Sequence, residues 1–207
     1  METLTTHTRN VLIGVDIQND FITGTLAVKD GAEVIEPTNK VAEAVRSTDG
    51  TVAFTRDWHP AETPHFDTWP SHCVAGTEGA EFVSTLDIQE TDSIISKGTG
   101  LTDGYSGWEG ISDKGETLET LIAPRNTQET VRVFLGGLAT DYCVKATGID
   151  IATYFAGNER VTTYLLRDAV RAVALNQADE ANALKALEAA QVLAISSEEA
   201  IAMIQGE

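Results

Sequence analysis

Six apolar, β-branched runs recur along this chain: NVLIGVDI, TVAFT, SIIS, VRVFLGG, RVTTYLL and QVLAIS. Several are apolar at nearly every position. A strand with one solvated face alternates apolar and polar residues, so unbroken apolar character marks strands buried on both faces, as in parallel sheets. Between the runs, apolar residues return at helical spacing over 32–45, 116–122, 141–155 and 176–190. Strand and helix therefore alternate. With right-handed crossovers this order predicts an α/β, doubly wound three-layer fold, with a mostly parallel six-stranded sheet and helices on both faces. A length of 207 residues with 42% apolar content suffices for one core, so a single domain over 1–207 is expected.

Such folds collect ligands beyond the carboxyl ends of their strands. Asp16, Asp57, Lys97 and the turn at Ala139 all stand at such ends. Cys143 follows GGLATDY, where a strand closes on a glycine pair and the next helix opens. Backbone N–H groups and the helix dipole favour a thiolate there and can hold an oxyanion. Two roles are open for each of these residues. Cys143 is either a nucleophile or a small buried apolar residue. Asp16 is a base or a turn residue, and Lys97 is a partner that keeps Asp16 ionised or a solvated strand-end charge.

Two stretches lack any period. Residues 57–77 hold Asp57 and three of the four histidines, His59, His65 and His72, a donor set suited to a divalent transition metal with positions left for water or substrate. Loop histidines are also common as plain surface residues. Residues 98–110 contain five glycines and read as a cover or wall over the strand ends. Phe21, Trp69, Tyr105 and Trp108 can wall an aromatic pocket or simply pack. Asp20 suits a loop-fixing role, Cys73 a structural one, and His7 no functional role.

The charge balance narrows the partners. With 14 Lys and Arg against 32 Asp and Glu, the net charge of -18 repels nucleic acid, and the same acidity also suits a high-salt habitat. Two cysteines do not make a disulfide framework. No apolar stretch reaches membrane-spanning length and the start, METLTTHTRN, is not leader-like, so a cytoplasmic location without membrane contact is expected.

Together with these residues, the motifs VDIQNDF, RDWHP, WPSHCVAGTEGAEF, SKGTG, YSGWEG, GLATDYCV and LRDAVRAV make the chain resemble the nicotinamidase/pyrazinamidase group of the isochorismatase-like cysteine hydrolases. They occur in family order from Val11 to Ala174. The resemblance implies a metal-dependent hydrolysis of nicotinamide to nicotinate and ammonia, within NAD salvage, with pyrazinamide also accepted. It assigns Cys143 as nucleophile, forming a thioester, Asp16 as base and Lys97 as the third member. It places a cis peptide at Leu138–Ala139 and an oxyanion hole at the N–H groups of Ala139 and Cys143. It further gives Asp57, His59, His65 and His72 as ligands of one divalent metal, zinc first and iron or manganese as alternatives. Phe21 and Trp69 would sandwich the substrate ring, with Tyr105 beside them. AETP before His65 makes the gap from His59 longer than in many members. A homo-oligomer and a single chain are both compatible with the family. Two other readings share the fold: an N-carbamoyl or ureido amidase without metal, and a non-catalytic binding domain.

Overall fold

Seven strands, β1 (His7–Val15), β2 (Thr51–Asp57), β3 (Ser93–Lys97), β4 (Ile111–Ser112), β5 (Glu129–Leu138), β6 (Val161–Arg171) and β7 (Leu193–Ile195), form one sheet in a computed structural model that describes residues 7–206. The first residues of the chain, on which the absence of a leader was read, lie outside the described residues, as does residue 207. The sheet order is β4-β3-β2-β1-β5-β6-β7.

The six apolar runs are the six mutually parallel strands. The seventh corrects the expected count. β4 is a two-residue edge strand antiparallel to β3, with Ser112 opposite Ile95. Two residues are too few to show a period, and only the partner strand defines them.

β1 explains why its run is apolar throughout. Leu12 packs into one hydrophobic layer and Val11 and Ile13 into the other, and all three are 0% exposed. The first layer is closed by α2 (Ile35–Arg46) through Val41, Ala42 and Val45, and by α6 (Ser197–Gln205) through Ala200 and Ile204. The second is closed by α3 (Leu118–Ile122), α4 (Lys145–Tyr154) and α5 (Asp179–Ala189) through Leu118, Ile122, Ile151 and Leu187. A four-residue helix, α1 (Asn19–Ile22), follows β1. Neither α1 nor α6 was expected, yet α6 carries a local signal. Ser196 accepts from the Glu199 N–H while the Glu199 side chain accepts from the Ser196 N–H, a capping box in SSEE. Among the described residues no helix is long and apolar enough to cross a membrane.

The chain runs from β1 outward through β2 and β3, then returns to place β5 on the other side of β1. This reversal opens a crevice between the ends of β1 and β5, where open α/β sheets bind ligands. Gly137, at the end of β5, has φ 109°, and a Cβ there would lie 2.0 Å from the Val15 carbonyl oxygen, so only glycine fits. The next peptide, Leu138–Ala139, is cis.

Candidate active site

Four strand ends meet at this crevice. Asp16 leaves β1 in the left-handed region, φ 50°, which aspartate tolerates better than most residues. Asp57 ends β2 and Lys97 ends β3, paired in register. Cys143 lies on a wide helical turn, Thr140–Val144, that leads from β5 into α4.

Lys97 sits at the centre, 1% exposed. Its Nζ is 2.8 Å from Asp16 Oδ2, 2.5 Å from Asp57 Oδ1 and 3.4 Å from Cys143 Sγ, and it also donates to the Gly104 carbonyl at 3.2 Å. Burial alone would lower its pKa, but the two carboxylates hold it well above the usual lysine value. The two carboxylates are set apart. Burial would raise both; Lys97 and His59 overcome it for Asp57, which is held well below the usual carboxylate range. For Asp16 burial wins over Lys97, aided by the negative charge of Asp57, and its pKa rises to about 6.

Asp16 has one occupied oxygen and one available oxygen. Thr55 Oγ1 donates to Oδ1 at 2.6 Å. Oδ2 accepts no aligned hydrogen bond among the described residues; its 2.8 Å approach to Lys97 is an ion pair off the hydrogen-bond direction. The Cys143 sulfur and one carboxylate oxygen each from Asp16 and Asp57 fall within 4.8 Å of one another. The thiol departs from expectation. Burial pushes its pKa well above the ordinary value and outweighs the lowering by Lys97, which favours the thiol form beside a carboxylate that can take its proton.

His59, His65 and His72 are all buried and offer nitrogens within 4.8 Å of one another. Each Nδ1–H is committed to an oxygen: His59 to Gly98 O at 3.0 Å, His65 to Asp103 Oδ1 at 2.7 Å, and His72 to Pro70 O at 2.7 Å. That leaves Nε2 of each ring with its lone pair free. His59 Nε2 is buried without a hydrogen-bond partner among the described residues, and Asp57 Oδ2 lies 3.7 Å from it and 4.0 Å from His72 Nε2. Burial lowers the His72 pKa, favouring the neutral ring that ligates metals. Three imidazoles that each turn an Nε2 inward, with one carboxylate beside them, fit a divalent cation. His65 joins the others despite the AETP spacing.

Phe21, Trp69 and Tyr105 line a cavity with Cys143, Ala139, Asp57, His65 and His72. Trp69 Nε1 donates to Tyr105 OH at 3.0 Å. Trp108 is elsewhere, packed on Tyr154 and Phe155 at centroid distances of 4.8 and 6.1 Å. The sequence offers no cue to this separation, since Tyr105 and Trp108 share one irregular stretch. Tyr142, Leu26 and Val173 also line the cavity and were not anticipated. Asp141 explains Val173: its carboxylate accepts from the Val173 and Ala174 N–H groups, both at 2.9 Å, tying that segment to the nucleophile turn. Asp20 does fix a loop, accepting from the Cys73 N–H at 2.7 Å. Cys73 is fully buried and burial raises its pKa, so it is structural.

Fold and site together define a doubly wound α/β protein with a buried cysteine, carboxylate and lysine centre beside an imidazole cluster. Residues 10–199 match the isochorismatase domain model. A nicotinamidase/pyrazinamidase of Mycobacterium tuberculosis is 37% identical over 147 residues, covering 67% of this chain and 76% of that protein. The crystal structure of a Pyrococcus horikoshii pyrazinamidase in complex with zinc is 35% identical, with a TM-score of 0.76 over 91% of this chain and 99% of that one. The structure of PnC1 from L. infantum in complex with nicotinate is 31% identical, with a TM-score of 0.75 over 94% and 96%. The chain belongs to the isochorismatase family, in its nicotinamidase/pyrazinamidase group, and is a hydrolase acting on amides.

Proposed function

We propose that this enzyme hydrolyses nicotinamide to nicotinate and ammonia, and pyrazinamide likewise, in NAD salvage. The observation that carries the reading is the Cys143 thiol, 3.4 Å from Lys97 and within 4.8 Å of a carboxylate oxygen of Asp16, facing a cavity walled by Phe21, Trp69 and Tyr105. In the first half, Asp16 Oδ2 takes the thiol proton and the sulfur attacks the amide carbonyl. The N–H groups of Ala139 and Cys143 carry the oxyanion. Collapse breaks the C–N bond, and Asp16 returns its proton to the leaving ammonia. In the second half, Asp16 takes a proton from water, the hydroxide attacks the thioester, and the sulfur leaves with that proton restored to it.

Lys97 keeps Asp16 ionised between proton transfers and attracts the thiolate as it forms. A divalent cation, zinc in the first instance, held by Asp57, His59, His65 and His72 would supply a Lewis-acidic anchor for the pyridine nitrogen or for a water. The imidazole cluster favours this reading over a metal-free ureido amidase, and the assembled centre favours it over a non-catalytic domain.

Ammonia release from nicotinamide, measured with and without a chelator, tests substrate and metal together. Turnover in the metalated enzyme, lost on chelation and restored by Zn²⁺, is expected; no release from nicotinamide under any metal condition would overturn the reading. The pH profile follows from Asp16. A base must be ionised, and its pKa is raised to about 6, so kcat/KM should fall about tenfold per unit as pH drops below that value. A flat profile down to about pH 4, the ordinary carboxylate range, would remove Asp16 from the role of base.

A further inference from the structure

We propose that Asp103 is a positioning residue that orients His65 toward the metal and ties occupancy of the metal site to the placement of the 98–105 segment, whose Tyr105 lines the cavity. The inference rests on the metal-site reading above and extends it to a residue outside the ligand set. Asp103 Oδ1 accepts the His65 Nδ1–H at 2.7 Å, while the His65 ring is buried and the Asp103 side chain is 56% exposed. The ring is therefore steered from outside. A carboxylate on Nδ1 fixes which nitrogen carries the proton and turns the other nitrogen to the cation. His59 and His72 take this bond from backbone carbonyls, so His65 alone of the three depends on a side chain.

The segment carrying Asp103 is closed on itself. Gly98 and Gly104 both have φ 63°, and a Cβ on Gly104 would stand 2.5 Å from the Gly98 Cα. Its two ends hold the site from three directions: Gly98 O takes the His59 ring, Gly104 O takes Lys97 Nζ, and Tyr105 OH takes Trp69 Nε1. Asp103, next to the closing end, adds the fourth tie. A cation that locks the His65 ring thereby locks Asp103 and the segment with it. An exposed ion pair at the surface would contribute little and show none of this dependence.

Zn²⁺ affinity of the full-length protein, read by competition with a chromogenic chelator, tests the proposal. Asp103→Ala should weaken the Zn²⁺ Kd about 10- to 100-fold, the range typical of outer partners of metal-bound histidine. Asp103→Asn, which retains an acceptor oxygen, should recover most of that loss. Metal-free wild type and both variants should melt at closely similar temperatures, which separates positioning from general destabilisation. Hydrogen exchange gives a second readout: Zn²⁺ should slow exchange over 98–105 in the wild type and not in Asp103→Ala. A Kd for Asp103→Ala within twofold of wild type overturns the proposal. Equal loss in Ala and Asn variants also overturns it, by assigning the effect to charge and not to orientation. The wild-type arm judges the underlying reading separately, because a wild type without Zn²⁺ affinity fails the metal site itself.

Discussion

Cys143→Ala should abolish ammonia release from nicotinamide while leaving a folded protein. Removing the nucleophile of a catalytic set that acts as a unit costs more than about 10⁴-fold in kcat, because the remaining groups have no attacking atom to assist. The fold should survive. The thiol is neutral at rest, so its loss strands no charge, and the position contributes one small buried side chain that is 6% exposed. A steady-state assay read beside a thermal melt checks both halves. Retained turnover would exclude the cysteine mechanism, whereas an unfolded variant would mean that the sulfur packs more than it reacts.

Lys97→Met should be the variant most damaging to stability. One buried ammonium stands between two buried carboxylates, at 2.8 Å from Asp16 and 2.5 Å from Asp57. Without it, two negative charges face each other in a water-poor crevice, and breaking a buried ion pair in this way costs about 3–5 kcal/mol. That is a large part of the 5–15 kcal/mol, roughly, by which a domain is stable. The pH dependence has a definite sign. With the cation gone, burial and mutual repulsion raise the folded-state pKa of the pair above its unfolded value. Protonation then relieves the cost, so the deficit relative to wild type should be largest near neutrality and shrink as pH falls through the raised pKa. Urea unfolding of the metal-free proteins at about pH 5 and pH 7.5 checks this. A deficit equal at both values, or one growing toward acid, would show that Lys97 does not neutralise the carboxylates.

The fold was legible in the chain because burial on both faces writes itself into a strand as an unbroken apolar run. All six runs became parallel strands. β4 was not legible, since a two-residue strand has no pattern of its own and exists only against Ile95 and Ser96. α6 was readable and passed over, because the capping serine and glutamate in SSEE mark its start. The helix over 141–155 needed refinement, as its first turn is the wide one that carries Cys143.

Strand ends are where side chains converge in this architecture, so Asp16, Asp57, Lys97 and the Ala139 turn before Cys143 could be grouped from their positions, while their roles stayed open. Their protonation could not be read. A helix start argues for a thiolate, but only the folded structure shows that burial raises the Cys143 pKa, and that Lys97 and His59 lower Asp57 while burial and the charge of Asp57 raise Asp16. Aromatic residues were harder still. Tyr105 and Trp108 lie three positions apart in one glycine-rich segment, yet Tyr105 lines the cavity while Trp108, in the short turn Gly107–Glu109, packs on Tyr154 of α4. Asp103 had no signal in its sequence neighbours, because its partner, His65, is 38 positions away.

Turnover by this site requires Cys143 to form a covalent acyl intermediate at the crevice between β1 and β5. Acid quenching of the enzyme during turnover of nicotinamide, followed by mass spectrometry of the peptide containing Cys143, tests this most directly. A fraction of that peptide should carry one pyridine-3-carbonyl group on the sulfur, and the group should be absent without substrate. An unmodified Cys143 throughout rapid turnover, with the acyl group on another residue, would contradict the account.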